Sequence, residues 1–136
     1  MVIEKKYKID KEVVLDSANL YLLENGVIHI HIKIDYEVDL EIASEIAKAR
    51  EILSGDVPRL ILYTTEDKLL IPSPEVRDFV ASEERSRLII ANATVITSLP
   101  QKLVANFFLK MDKPSRPSKF FNNEDEAMNW LLQFLQ

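Results

Sequence analysis

Two histidines stand two residues apart, His29 and His31, inside an alternating run of isoleucines. In an extended chain, residues two apart share a face, so both imidazoles point the same way. As an i, i+2 pair they could give a metal two ligands. The next residue on that face is Lys33, and no carboxylate follows nearby in sequence. The chain has no cysteine, which removes thiolate metal sites, disulfides and Cys nucleophiles. The expectation is therefore no metal site and a sheet face that is solvated or covered by a second copy. The two glycines, Gly26 and Gly55, are too few for a dinucleotide fingerprint and too far apart for a P-loop, so no cofactor is expected. Three acidic groups, Glu66-Asp67, Glu83-Glu84 and Glu124-Asp125-Glu126, fall in a loop, at a helix end and in a helix first turn. Adjacent carboxylates seldom face one cleft, so they read as solvated surface, and no catalytic Ser-His-Asp constellation can be assembled.

Two further groups carry chemistry. Ser73-Pro74-Glu75 is a strong helix start, with Ser at the N-cap, Pro at the first helical position and Glu in the first turn. A hydroxyl there is an ordinary cap, and it is also where a phosphate would meet free helix N–H groups. Residues 101–119 hold Lys102, Lys110, Lys113, Arg116 and Lys119 against Asp112 alone, a local +4 in a chain of net charge −5. Lys102, Asn106 and Lys110 are spaced by four and form one helical row, placed opposite Phe107 and Phe108. This basic surface suits an anion or an acidic partner. With no exposed aromatics interleaved, nucleic acid is not expected.

The elements that position these residues follow from periodicity and caps. Glu4–Ile9 and Val13–Leu15 read as short strands or edges. Ala18–Glu24 and Val27–Ile34 read as strands joined at Asn25-Gly26, a pair suited to a type I′ hairpin turn. Ile28, Ile30, Ile32 and Ile34 line one face of the second strand; Val27, His29, His31 and Lys33 line the other. Asp39 caps a first helix that Gly55 stops. Arg59–Thr64 and Leu88–Thr97 read as buried strands, with the Ser73-capped helix between them. Ser98 and Gln101 form a capping box for a third helix, expected to pack through Leu103, Val104, Phe107, Phe108 and Met111. Asp112–Lys119 is held extended by Pro114 and Pro117, Phe120-Phe121 is a short strand, and Asn123 with Glu126 caps a last helix. Its core-facing stripe is Ala127, Trp130, Leu131, Phe134 and Leu135. Strands alternating with helices imply parallel pairing after the hairpin. The fold class is α/β, one domain over 1–136, with a mixed sheet and about four helices largely on the Ile28–Ile34 side.

At 136 residues a core needs no staples. The charged N-terminus offers no apolar signal segment, and the longest uncharged run, Leu88–Gln101, is too short to span a bilayer. A cytoplasmic protein with no membrane insertion is expected.

Four segments together resemble the STAS-like fold of anti-sigma-factor antagonists, and more closely a group of small bacterial STAS-like proteins with no assigned chemistry. They are Asn25-Gly26-Val27-Ile28, Pro74 through Phe79, Ala91 through Ser98, and Asn106-Phe107-Phe108 to Trp130-Leu131 with Pro114-Ser115-Arg116-Pro117 and Phe120 between. The resemblance spans about residues 18 to 135. It implies a non-enzymatic regulatory module that meets another protein, or sometimes a small ligand, near the start of the second helix. Ser73 is the nearest equivalent of the family's phosphorylatable serine, and Glu75 and Arg77 join it as partner-binding candidates. Ile71-Pro72-Ser73-Pro74 has neither the Gly nor the preceding Asp of that motif. Two further expectations stand beside this one. Self-association would bury the uncovered face of Val27, His29 and His31, and a small-ligand carrier would use an apolar pocket under Leu69, Leu70 and Ile71.

Overall fold

In the computed structural model, residues 7–34, 37–66, 73–82, 86–112 and 115–135 are described. Six strands, β1 (Ile9–Val14), β2 (Ala18–Leu23), β3 (Ile28–Ile32), β4 (Arg59–Thr65), β5 (Ile89–Val95) and β6 (Ser118–Phe121), form one sheet in sequential order. The first three strands are antiparallel, and β3 through β6 run parallel. Four helices accompany them: α1 (Leu40–Ser54), α2 (Pro74–Ala81), α3 (Leu99–Asp112) and α4 (Glu124–Leu132). The mixed α/β sheet expected from the alternation of elements is what forms.

Sequential strand order decides where the helices go. Right-handed crossovers between neighbouring parallel strands place every connecting helix on the same face. Accordingly α1 lies on β1–β3, α2 touches α1, and α3 touches α2 and β6. Beneath α1, Ile28, Ile30 and Ile61 meet Ile46, Ala49 and Leu53. Helix α4 follows the last strand and is under no crossover constraint. It covers the opposite face across β4–β6, where Ala127, Met128 and Leu131 pack on Val27, Leu60, Leu62, Ala91 and Ala93.

The caps form as their residues dictate. Asp39 accepts from the Ile42 amide at 2.8 Å, and Asn123 from Glu126 at 2.9 Å. The Gln101 amide donates to Ser98 Oγ at 3.2 Å while Gln101 Oε1 accepts from the Ser98 amide at 3.4 Å, closing a capping box. Gly55 ends α1 in the left-handed region.

Several expectations are corrected. Glu4–Lys6 of the first expected stretch lie outside the described residues; Ile9–Val14 is one strand that links the end of that stretch to the second, pairing with β2 apart from one bulge. The hairpin is not a type I′ turn: only Gly26 has positive φ, at 89°. The Gly26 amide donates to Leu23 and the Leu23 amide to Val27, giving a three-residue loop with glycine last. Asn25 instead spends its side chain on the Val27 amide at 3.0 Å. The face of Val27 and His29 is not open, since both residues are fully buried. In α3, Leu103 and Phe107 face outward while Gln101 and Ala105 are buried; the side chains of Val104, Phe108 and Met111 lie outside those described. In α4 the stripe holds at Ala127 and Leu131, joined by Met128, and fails at Phe134 and Leu135. There the helix has given way to a 3-10 turn, Gln133–Leu135, and both side chains are exposed.

Candidate functional site

The β3–β4 register sets His31 opposite Thr64 and His29 opposite Leu62. On the α4-side face this gathers His31, Thr64 and Glu66 at the carboxyl ends of two adjacent parallel strands, with His29 one step further into the sheet. That edge of an α/β sheet is where ligand crevices form. His29 Nε2 lies 2.8 Å from Thr64 Oγ1, His31 Nδ1 lies 2.7 Å from the same oxygen, and His31 Nε2 lies 3.1 Å from Glu66 Oε1. Exposure falls along the chain from Glu66 at the rim to His29 at zero.

The direction of each bond follows from the acceptor at the rim. A carboxylate only accepts, so His31 Nε2 carries the hydrogen and His31 Nδ1 is bare in the neutral ring. Thr64 then donates its hydroxyl hydrogen to His31 and accepts from His29 Nε2–H. His29 Nδ1 is left as a buried acceptor with no partner. Burial first, and the neighbouring His31 second, push the His29 imidazole down from 6.5 to about 3, so it stays neutral through the physiological range. The Tyr21 ring packs beside it, centroids 5.7 Å apart.

Sequence reasoning placed the two histidines on one face and missed Thr64 and Glu66. Glu66 lies 35 residues from His31, so only strand register could have revealed it. Glu66 is exposed, as expected of a solvated acidic group, and its bond to His31 is an addition to that reading; Asp67 lies outside the described residues. Glu83 and Glu84 lie outside the described residues, and Glu124–Glu126 do fill the first turn of α4. Among the described residues no group of three or more His, Cys, Asp or Glu is placed to hold a metal.

Thr64, His31 and Glu66 carry the order hydroxyl–imidazole–carboxylate of a hydrolase triad. The nucleophile is not presented, however. Thr64 is buried, and its oxygen is already engaged by His29 as well as His31.

The second region is the outer layer of α2 and α3. Ser73 is a cap in geometry: its backbone is extended and its Oγ accepts from the Val76 amide at 3.3 Å. Glu75 is exposed and Arg77 half-buried on the same helix, with Asp78 and Val80 also exposed. The loop before Ser73, including Leu69, Leu70 and Ile71, lies outside the described residues. On α3, Leu99, Leu103 and Phe107 are 67%, 65% and 58% exposed. They are spaced by four and so form one row. At 100° per residue, the row of Lys102, Asn106 and Lys110 lies beside this apolar row rather than opposite Phe107. Asn106 and Lys110 are exposed and Lys102 half-buried.

The basic stretch is thereby divided. Arg116 turns inward and donates from Nε to the Ile89 carbonyl at 3.0 Å and from Nη1 to its neighbour Ser115 at 3.1 Å, tying the last crossover to β5. Lys119 lies over the Phe121 ring at 5.4 Å, and Lys113 lies outside the described residues. A shallow groove along α1 is lined by Leu40, Glu41, Ser44, Glu45 and Lys48, all from that single helix. Among the described residues no helix is long and apolar enough to cross a membrane.

A family model described as a domain of unknown function (DUF7793) matches residues 21–135, and the chain belongs to that family. No curated protein and no solved structure matches it.

Proposed function

We propose that this member of the DUF7793 family is a non-enzymatic regulatory module that works through protein–protein contact in the cytoplasm. Its docking surface is the layer formed by α2, from its Ser73-capped start, and the adjoining α3. The observation that carries the reading is the row of Leu99, Leu103 and Phe107, three large apolar side chains more than half exposed on one helix face. Single exposed apolar residues are ordinary, whereas an ordered row of them marks an interaction site. Val80 on the touching helix α2 adds a fourth, 48% exposed. The STAS-like resemblance points to the same end of the molecule, the start of the second helix. The buried hydroxyl of Thr64 favours a structural role for the His–Thr–His chain over catalysis.

A small-ligand carrier is the second reading, and the unpartnered, fully buried Nδ1 of His29 is the observation that favours it. Native mass spectrometry of the protein taken from its own cells separates the two. A retained protein partner, lost when Leu103 is changed to Asp, is the expected result. A retained stoichiometric small molecule without any protein overturns the module.

A further inference from the structure

Resting on that reading, we propose that the α3 surface receives an amphipathic helix with acidic flanks, supplied by a different protein. Helix α3 has 14 residues, so it is about 21 Å long, and the row from Leu99 to Phe107 covers about 12 Å of it, two turns. A surface of that length and single-row width suits the apolar stripe of one helix, with anchors three or four residues apart. The flank specifies charge. Lys102 and Lys110 run along one side of the apolar row with Asn106 between them, a local cationic edge in a chain of net charge −5. Glu75 and Asp78 of this layer are on α2, and the acidic residue of α3, Asp112, is its last, five positions beyond Phe107 and so past the end of the apolar row. A partner helix in contact with the apolar row therefore has its flank facing lysines, and Glu or Asp there is favoured over Lys or Arg.

The same charges disfavour a second copy of this chain. An isologous dimer across α3 would pair the two helices about a two-fold axis and bring Lys102 and Lys110 of one copy towards those of the other. Like charges across such a seam oppose association. A second copy could instead present α1, where Glu41 and Glu45 are exposed. That contact is heterologous, so it would build rings or open chains of this protein, seen as self-association that Leu103→Asp removes.

The test uses the whole protein and two labelled helix-forming peptides with the same leucine stripe. One peptide carries Glu on its flanks and the other Lys. Fluorescence anisotropy should show the Glu peptide binding about tenfold more tightly or better, the order expected when two or more rim charge pairs change sign. Lys102→Glu with Lys110→Glu should invert the preference, and Leu103→Asp should abolish binding of both. Melting curves of the variants, expected near that of the parent because these side chains lie on the surface, establish that each is folded. Equal binding of the two peptides, binding indifferent to Leu103→Asp, or no binding overturns the acidic helix. So does self-association that Leu103→Asp removes. A Leu103-dependent protein retained in native mass spectrometry, with neither peptide bound, defeats this inference and leaves the module intact. A retained small molecule alone defeats the module itself.

Discussion

Replacing His29 with Phe should make the protein less sensitive to acid, by an amount that the structure sets. His29 is fully buried, and its imidazole is pushed down to about 3 by burial and by the neighbouring His31. In the unfolded chain the same group titrates near 6.5. Between these values the unfolded state binds one more proton than the native state. Stability therefore rises with pH across that window and is lost as pH falls from about 6.5 towards 3. The slope is about 1.4 kcal/mol per pH unit well below 6.5. Going from pH 7 to pH 5 should cost the parent about 2 kcal/mol through this residue alone, a large share of a typical domain stability of about 5–15 kcal/mol. At pH 7 the Phe variant loses the hydrogen bond to Thr64, about 1 kcal/mol, and is relieved of the unpartnered Nδ1, a term of similar size and opposite sign. The two chains should then be close in stability at neutral pH and diverge below it. Urea titrations of both at pH 7, 6 and 5 measure the gap, and other acid-sensitive groups cancel in the difference. A gap that stays constant from pH 7 to pH 5 would refute the buried neutral histidine.

Thr64→Val removes the bridging hydroxyl and leaves two ring nitrogens without their partner, so it should cost about 1–3 kcal/mol in the same urea assay. Ser73→Ala should lose about 1 kcal/mol and Ser73→Asp little, because a carboxylate caps as well; equal melting temperatures for all three would remove the cap. Phe107→Ala should shift the denaturation midpoint little, within about 0.5 kcal/mol as surface changes do. Leu131→Ala, fully buried on the sheet-facing side of α4, should cost about 2–5 kcal/mol, read from the shift of the urea midpoint.

What the sequence shows clearly is whatever depends on neighbours along the chain. Asp39, Ser73, Ser98 and Asn123 each cap a helix because the capped amide lies three residues on, so the bond is implied by the order of residues. The alternation of Ile28, Ile30 and Ile32 with His29 and His31 likewise gives the two faces of β3 without any structure. The partner of each face is another matter. Thr64 and Glu66 reach the histidines only because β3 and β4 pair in one particular parallel register, and a shift of one residue would point them away. The cover over Val27 was equally hidden. Helix α4 is free of a crossover, so nothing in the order of elements says which face it takes.

Helix α3 shows where periodicity runs out for a reason that bears on function. Its sequence holds apolar residues at Leu99, Leu103, Val104, Ala105, Phe107, Phe108, Leu109 and Met111, against polar ones at Gln101, Lys102, Asn106, Lys110 and Asp112. That is more apolar surface than one core-facing stripe of about 100° requires. With several apolar rows available, the 3.6-residue period fixes that a helix forms but not which row turns inward. The backbone settles it through small contacts: Ala105 is buried, as is Gln101, whose Oε1 also accepts from the Thr97 amide at 3.2 Å. A side chain tied to the strand end at Thr97 and Ser98 orients the first turn, and the helical rise carries Leu99, Leu103 and Phe107 to the outside. The surplus apolar row is thus a consequence of how the capping box docks. Elsewhere Val14, Ile52 and Val57 are exposed on β1, on α1 and in the loop after it, whereas on α3 three exposed apolar side chains share one row, and that row is the strongest reason to look for a partner there.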